Sequence, residues 1–255
     1  MGFIDFYIFF IVFLLGIVVG SFLNVCIYRI PRNETVVYNS SSCTECETKL
    51  KPFDLIPVFS YLFLKGKCRY CSSQITPRYP LVEALTGIIF VISYVYFGIG
   101  LLLIKYLFIF SILIVISFID IDNRIIPNKL VLILLVWAII WQIIYPEISL
   151  YDGGLGAVIG GGLFFFIAVI SRGGMGGGDI KLMFAAGFLL GGALTALTIL
   201  IASIIGSIVG VTLMALKLKD RKDPIPFGPF ICLGIFMSVI FGDQLLNLYL
   251  EYLLV

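Results

Sequence analysis

Asp120 and Asp179 stand 59 residues apart, each at a break in an apolar run. Asp120 closes Leu113-Ile114-Val115-Ile116-Ser117-Phe118-Ile119, and Asp179 follows Gly173-Gly174-Met175-Gly176-Gly177-Gly178. A carboxylate at membrane depth is costly, so each is a functional candidate by default. The chain has no histidine and no serine-centred nucleophile motif. What remains is acid/base chemistry by a carboxylate pair. Two such groups a few ångströms apart cannot both ionise cheaply, so they share one proton and titrate as a unit. The ionised member can take a proton from water while the protonated member polarises a carbonyl, and water adds without a covalent intermediate.

A second constellation consists of Cys43-Thr44-Glu45-Cys46 and Cys68-Arg69-Tyr70-Cys71, with 21 residues between the pairs. Two C-x-x-C units at such a separation match the four-cysteine zinc pattern, each tight turn offering two thiolates. The other readings are disulfides, disfavoured in a reducing compartment, and a redox pair, which would need a thioredoxin-like βαβ context absent here. Zinc would order a loop too small for a core of its own. Cys26 and Cys232 fall in apolar segments and read as buried apolar residues.

The elements that position these groups follow from composition. Of 255 residues, 61% are hydrophobic and 13% charged, with a net charge of +2; the mean hydropathy is +1.14. A water-soluble core cannot hide that much apolar surface, so an all-α polytopic membrane protein is expected. Eight apolar segments can be drawn: 6–27, 82–98, 100–119, 129–145, 153–171, 180–196, 198–216 and 228–250. The stretch 180–216 is divided near Gly191-Gly192 because it is too long for one crossing of ~30 Å of hydrocarbon. About eight transmembrane helices are expected, with a small zinc-binding loop domain between the first two. The division is 1–27 for the first transmembrane helix, 28–81 for the loop and 82–255 for a seven-helix membrane core.

Eight spans put the loops 28–81, 120–128, 172–181 and 217–227 on one side. These loops and their edges hold 16 of the 17 basic residues, Arg221 and Lys222 among them, and leave out only Lys105. Basic loops face the cytoplasm, so both aspartates belong at the cytoplasmic membrane edge and both termini face out. The first apolar segment lacks a basic n-region and a small-residue cleavage pattern, and reads as a retained span. Nothing in the charge pattern points to a nucleic acid.

Five acids admit quieter roles. Asp122 and Asp152 read as helix caps, and capping is also the plain alternative for Asp120 and Asp179. Glu83, at the start of the second span, could position a substrate amine or a backbone group, or cap its helix. The glycines at 176–178, Gly176 and Gly178 among them, permit close backbone approach beside Asp179.

In order along the chain, these motifs resemble the bacterial type IV prepilin peptidases, or leader peptidase/N-methyltransferases, a family of Gly-x-Gly-Asp membrane aspartyl proteases. The resemblance is carried by Gly20-Ser21-Phe22-Leu23-Asn24-Val25-Cys26-Ile27-Tyr28-Arg29-Ile30-Pro31, both cysteine pairs, Ile56-Pro57-Val58-Phe59-Ser60-Tyr61-Leu62 and Arg78-Tyr79-Pro80-Leu81-Val82-Glu83-Ala84-Leu85-Thr86-Gly87. The Asp120 motif, Gly176-Gly177-Gly178-Asp179 and Pro226-Phe227-Gly228-Pro229-Phe230 complete it.

The resemblance implies a multi-pass enzyme of the bacterial inner membrane that removes the basic leader of type IV prepilins or pseudopilins. The cut falls after a glycine at the cytoplasmic face, and the new N-terminal amine is then methylated from S-adenosylmethionine. It implies Asp120 and Asp179 as the catalytic pair. Asp120 is preferred to Asp122 because the family's aspartate lies eight residues before the Asp or Asn that follows Ile-Pro, here Asn128. Methylation rests on the resemblance, with the intact cysteine loop in its favour. Three rivals remain: an ion- or proton-coupled transporter, a non-catalytic assembly factor, and a peptidase without methylation.

Overall fold

The computed structural model describes residues 3–37, 41–172, 174–220 and 223–253. Gly173, Arg221 and Lys222 lie outside the described residues. The helices are α1 (Phe3–Arg29), the short α2 (Phe59–Phe63), α3 (Arg78–Phe97), α4 (Leu101–Asn123), α5 (Asn128–Ile144), α6 (Leu150–Ile170), α7 (Gly177–Ala215) and α8 (Gly228–Leu253). Among the described residues the only extended pairing is two isolated bridges, Ser42 with Lys49 and Lys67 with Gln74. The all-α expectation holds.

By length and composition six of these helices can cross a membrane: α1, α3, α4, α6, α7 and α8. Helix α5 has 17 residues, about 25 Å at ~1.5 Å per residue, and falls short of that standard. Helix α7 has 39 residues but breaks at Gly191, whose φ of 77° and ψ of 175° are not helical. The break falls at the point where the sequence divided 180–216. A side chain at Gly191 would be strained by that φ and would also strike the Asp152 carboxylate. Asp152 lies in the first turn of α6, and its Oδ1 accepts the Gly192 N–H at 3.0 Å. Asp152 is thus a cap, but for the second half of α7; at the start of its own helix the N-cap is Ser149, whose Oγ accepts the Asp152 N–H at 3.1 Å.

Two compact units divide the chain, Met1–Val115 and Ile116–Val255. In the first, α1 packs on α3 through small residues. A Cβ at Gly16 would lie 2.6 Å from Gly87 Cα, and one at Gly20 would lie 2.7 Å from Glu83 Cα. Close backbone approach of this kind is how helices associate where water supplies no hydrophobic drive. Asn24, 6% exposed, donates to the Tyr79 carbonyl at 3.0 Å and fixes the register of the pair. In the second unit α7 packs against α5, α6 and α8. Gly156 of α6 and Gly187 of α7 meet so closely that a Cβ on either would run into the other's carbonyl. Across the α7–α8 contact, the Thr198 hydroxyl donates to Ser238 Oγ at 2.9 Å.

Candidate active site and metal centre

Helix α4 ends at Asn123, with Arg124 in the left-handed region (φ 56°) and its N–H returned to the Asp120 carbonyl at 2.9 Å. The chain then turns through Ile125-Ile126 to Pro127, the N-cap of α5. This turn sets Ile126 between two glycines. A Cβ at Gly178 would lie 2.8 Å from Ile126 Cβ, and a Cβ at Gly228 would lie 3.2 Å from Ile126 Cδ1. The Gly228 position is also 2.7 Å from Asp120 Oδ2, which accepts the Gly228 N–H at 2.9 Å.

Asp120 therefore takes a backbone donor from the first residue of α8, 108 positions away. Asp179 lies in the first turn of α7, and its carboxylate accepts from the N–H of Gly176, the N-cap residue. The two carboxylates also interact electrostatically with each other. Asp120 is 5% exposed and Asp179 is 9% exposed. Each is thus oriented by a helix-start N–H, as a cap would be, and Ile126 packs on a glycine next to each, Gly178 before Asp179 and Gly228 at Asp120. The missing Cβ at Gly178 makes that approach possible, and the missing Cβ at Gly228 leaves room for Asp120.

Cys232, buried on α8, is close enough to feel both carboxylates and hydrogen bonds to Ser117. It is buried as expected, and so is Cys26. A groove of about 690 Å³ is formed by α5, α6 and the start of α7, with Asn128, Leu132, Gly161, Phe165, Ile180 and Phe184 among its lining residues; neither aspartate lines it. At its mouth Lys181 Nζ donates to Asn128 Oδ1 at 3.1 Å. The groove is almost wholly apolar.

The four cysteines form a second site built by local repetition. Residues 41–50 and 66–75 fold alike. Cys43 N–H donates to the Thr48 carbonyl and Cys68 N–H to that of Ser73. The Glu47 and Ser72 amides return to the carbonyls of Cys43 and Cys68. Leu50 and Ile75 close the turns on Ser41 and Gly66. Glu47 (φ 55°) and Ser72 (φ 60°) occupy the same left-handed position in each turn.

The four Sγ atoms lie within 4.8 Å of one another, with Cys43 and Cys71 at 3.8 Å. Zn–S bonds of ~2.3 Å in a tetrahedron put sulfurs ~3.8 Å apart, so the donor set fits one tetrahedral ion. Backbone N–H groups of Cys46 and Glu45 pointing at Cys43 lower its thiol to about 6, which presents a thiolate at neutral pH. Between the knuckles, Asp54 accepts from Arg69 Nε (2.6 Å), Tyr70 OH (2.9 Å) and the Lys51 amide (3.1 Å). Arg69 and Tyr70 are the two residues between Cys68 and Cys71, so Asp54 clamps the second knuckle. Desolvation pushes the Asp54 carboxyl up, but these donors outweigh it and hold it below the usual carboxylate range.

Glu83 belongs to the first compact unit. It is 7% exposed on α3, and its Oε2 accepts the Val58 N–H at 2.7 Å, with Ser21 of α1 as a further partner. Val58 sits at φ 62°, ψ −51°, a costly conformation for a β-branched residue. Of the alternatives for Glu83, the structure has it holding a backbone group.

Sequence reasoning missed Gly228, Ile126, Asp54 and Val58. The only available signals were a glycine before a proline at a helix start, and an isoleucine between Asp120 and Pro127.

Residues 14–97 match the bacterial peptidase A24 N-terminal domain, and residues 107–211 match the type IV leader peptidase family. The chain is 35% identical over 241 residues to the prepilin leader peptidase/N-methyltransferase of Bacillus subtilis, covering 94% of this chain and 97% of that protein. It is 34% identical over 267 residues to the Pseudomonas aeruginosa protein of the same name, covering 94% and 92%. To that of Legionella pneumophila it is 33% identical over 274 residues, covering 96% of each. No solved structure matches. Matched along almost its whole length, the chain belongs to the type IV leader peptidase family.

Proposed function

We propose that the protein is a membrane-embedded aspartic endopeptidase that removes the leader of type IV prepilins or pseudopilins after a glycine, and that it N-methylates the residue so exposed. The observation that carries the peptidase reading is that Asp120 and Asp179 are both buried, interact electrostatically with each other, and each accept a backbone N–H. An ion path would string acids along several spans. Here the two acids are gathered where α4 ends and α7 begins, and the first turns of α7 also line an apolar groove that offers a substrate helix a place to lie.

In this reading the pair shares one proton. The ionised aspartate takes a proton from water as the oxygen attacks the scissile carbonyl, and the protonated aspartate gives its proton to the carbonyl oxygen. Collapse of the tetrahedral adduct breaks the C–N bond, and a proton passes to the leaving amine. The Gly228 and Gly176 amides hold the two carboxylates in place throughout.

Gly176 and Gly178 support the pair by admitting it to close contact. Cys43, Cys46, Cys68 and Cys71 would hold structural zinc, which orders the loop and takes no part in bond-breaking. S-adenosylmethionine would supply the methyl group. We place 1–27 as the first of about eight spans, 28–81 as a cytoplasmic metal-binding loop and 82–255 as the peptidase core. The enzyme is placed in the bacterial inner membrane with its active site at the cytoplasmic face. The basic residues along one set of loops support this orientation.

The test is cleavage of a purified prepilin in detergent by wild type, Asp120→Asn and Asp179→Asn, with mass spectrometry of the product. Cutting after the leader glycine by wild type alone, with both variants folded, supports the pair. Cutting by either variant removes that aspartate from the chemistry. A mass gain of one methyl group with S-adenosylmethionine tests the second activity.

A further inference from the structure

The segment between the cysteine knuckles displays side chains that a loop in water normally hides. Phe53 is 71% exposed, Leu62 64% and Phe63 83%. Ile56 and Phe59 are exposed as well, and Phe53, Ile56, Phe59 and Phe63 share one recess of about 400 Å³. The display is fixed by structure. Beside Phe53, Asp54 is turned inward onto Arg69, Tyr70 and the Lys51 amide. Ahead of Phe59, Val58 is held at positive φ by its N–H bond to Glu83. The structure thus spends two buried carboxylates and a strained residue on presenting an apolar surface.

The Glu83 bond also sets the depth of that surface. Glu83 is five residues into α3 from Arg78, or about 7.5 Å along the axis at ~1.5 Å per residue. Helix α3 is a candidate span, so the segment lies alongside the first turns of a membrane helix, at the level of the lipid headgroups. Its charge suits that place. Between Thr48 and Cys68 stand Lys49, Lys51, Lys65 and Lys67 and a single acid, Asp54, which is already paired. Aromatic tips with flanking lysines are the composition of an interfacial anchor on anionic lipid.

We propose that residues 52–64 form such an anchor, with Phe53, Phe59 and Phe63 seated among the headgroups of an anionic bilayer. The loop is then tied down by its ends and also at its middle, and the metal knuckles are held against the membrane surface. The inference rests on α3 being a span and not on the aspartate chemistry, so the two can fail separately.

The test uses the full chain in nanodiscs containing phosphatidylglycerol, with Phe63→Trp and Phe53→Trp read as differences from the wild type, whose own emission comes from Trp137 and Trp141. The introduced tryptophan should be quenched by brominated acyl chains and sheltered from acrylamide. Val37→Trp, on an 81% exposed loop position outside the segment, should show the reverse. Replacing phosphatidylglycerol by phosphatidylcholine should weaken the bromine quenching of Phe63→Trp. Acrylamide quenching without bromine quenching at both phenylalanine positions overturns the proposal and leaves the patch to a protein partner. Equal bromine quenching at Val37→Trp overturns it too, because the whole loop would then lie on lipid without a dedicated anchor.

Discussion

The metal knuckles and the aspartate pair solve the same problem, holding acidic ligands close together, by opposite means. Each knuckle is closed within ten residues by its own backbone hydrogen bonds, and the second is braced by Asp54 from 15 residues away. The aspartate site has little local closure. Asp120 is held by an amide 108 residues on, and Ile126 is wedged between glycines that open α7 and α8. In the loop, water competes for every polar group, so local hydrogen bonds and a metal must supply the order. Among apolar helices a backbone N–H has no such competitor, and close packing at glycine does the positioning. The loop site should therefore respond to metal and pH, and the membrane site to single methyl groups.

The largest effect expected is on the aspartates. Asp120→Asn and Asp179→Asn keep the volume and can still accept from Gly228 and Gly176, so folding should persist while acid/base exchange is lost. Cleavage should fall by at least ~10²- to 10⁴-fold, with helical circular dichroism unchanged. A variant that loses its fold along with its activity would mean that the amide contacts, not the proton transfer, set the requirement for that carboxylate.

Metal removal sharpens the contrast next. Cys68→Ser, or prolonged chelation, should release one zinc per chain, measured by plasma mass spectrometry, and make residues 41–75 sensitive to protease. Prepilin cleavage should stay within about tenfold of wild type, equivalent to ~1.4 kcal/mol. Complete loss of cleavage on stripping the metal would show that the two sites are not independent.

Methyl-sized changes come third. Gly178→Ala places a Cβ 2.8 Å from Ile126 Cβ, and Gly228→Ala places one 2.7 Å from Asp120 Oδ2. Overpacking of this kind costs ~1–3 kcal/mol. In Gly178→Ala the cost should appear in both melting temperature and turnover, and Ile126→Val should return part of it by removing a methyl from the contact. In Gly228→Ala the carboxylate itself is displaced, so turnover should fall further than stability. Glu47→Gly in the first knuckle, at φ 55°, should be nearly neutral by comparison. A melting-temperature loss at Glu47→Gly as large as that at Gly178→Ala would erase the distinction drawn between the regions.

The legible and illegible parts divide along the same line. The helices fall on the apolar segments because apolar run length is local information, although six helices, not eight, are long and apolar enough to count as spans among the described residues; the break at Gly191 was foreseeable because 37 apolar residues exceed one crossing. The cysteine cluster was legible because spacing alone encodes a knuckle. What sequence could not supply was pairing across the fold. Asp152 as the partner of Gly192, Gly228 as the donor to Asp120, and Glu83 as the acceptor for Val58 each join residues at least 25 positions apart through a backbone amide. A backbone amide carries no residue type to recognise. Glu83 was noticed as a carboxylate wanting a partner, yet nothing in the letter Val58 says that its N–H is the one offered.

The smallest effect expected lies in the loop, in the titration of Cys43. Its thiol is lowered to about 6 by the N–H groups of Cys46 and Glu45, against ~8.5 for a free cysteine. For a group whose folded value is depressed, the stabilising contribution is complete above the unfolded value and is lost as pH falls through the folded one. In freshly metal-stripped protein, Cys43 should therefore be alkylated by iodoacetamide with a midpoint near pH 6, as peptide mass spectrometry can resolve. A Cys43 midpoint near 8.5 after stripping would mean that the knuckle does not persist without its ion. Order would then pass from metal to turn, and the loop would owe its local closure to the zinc.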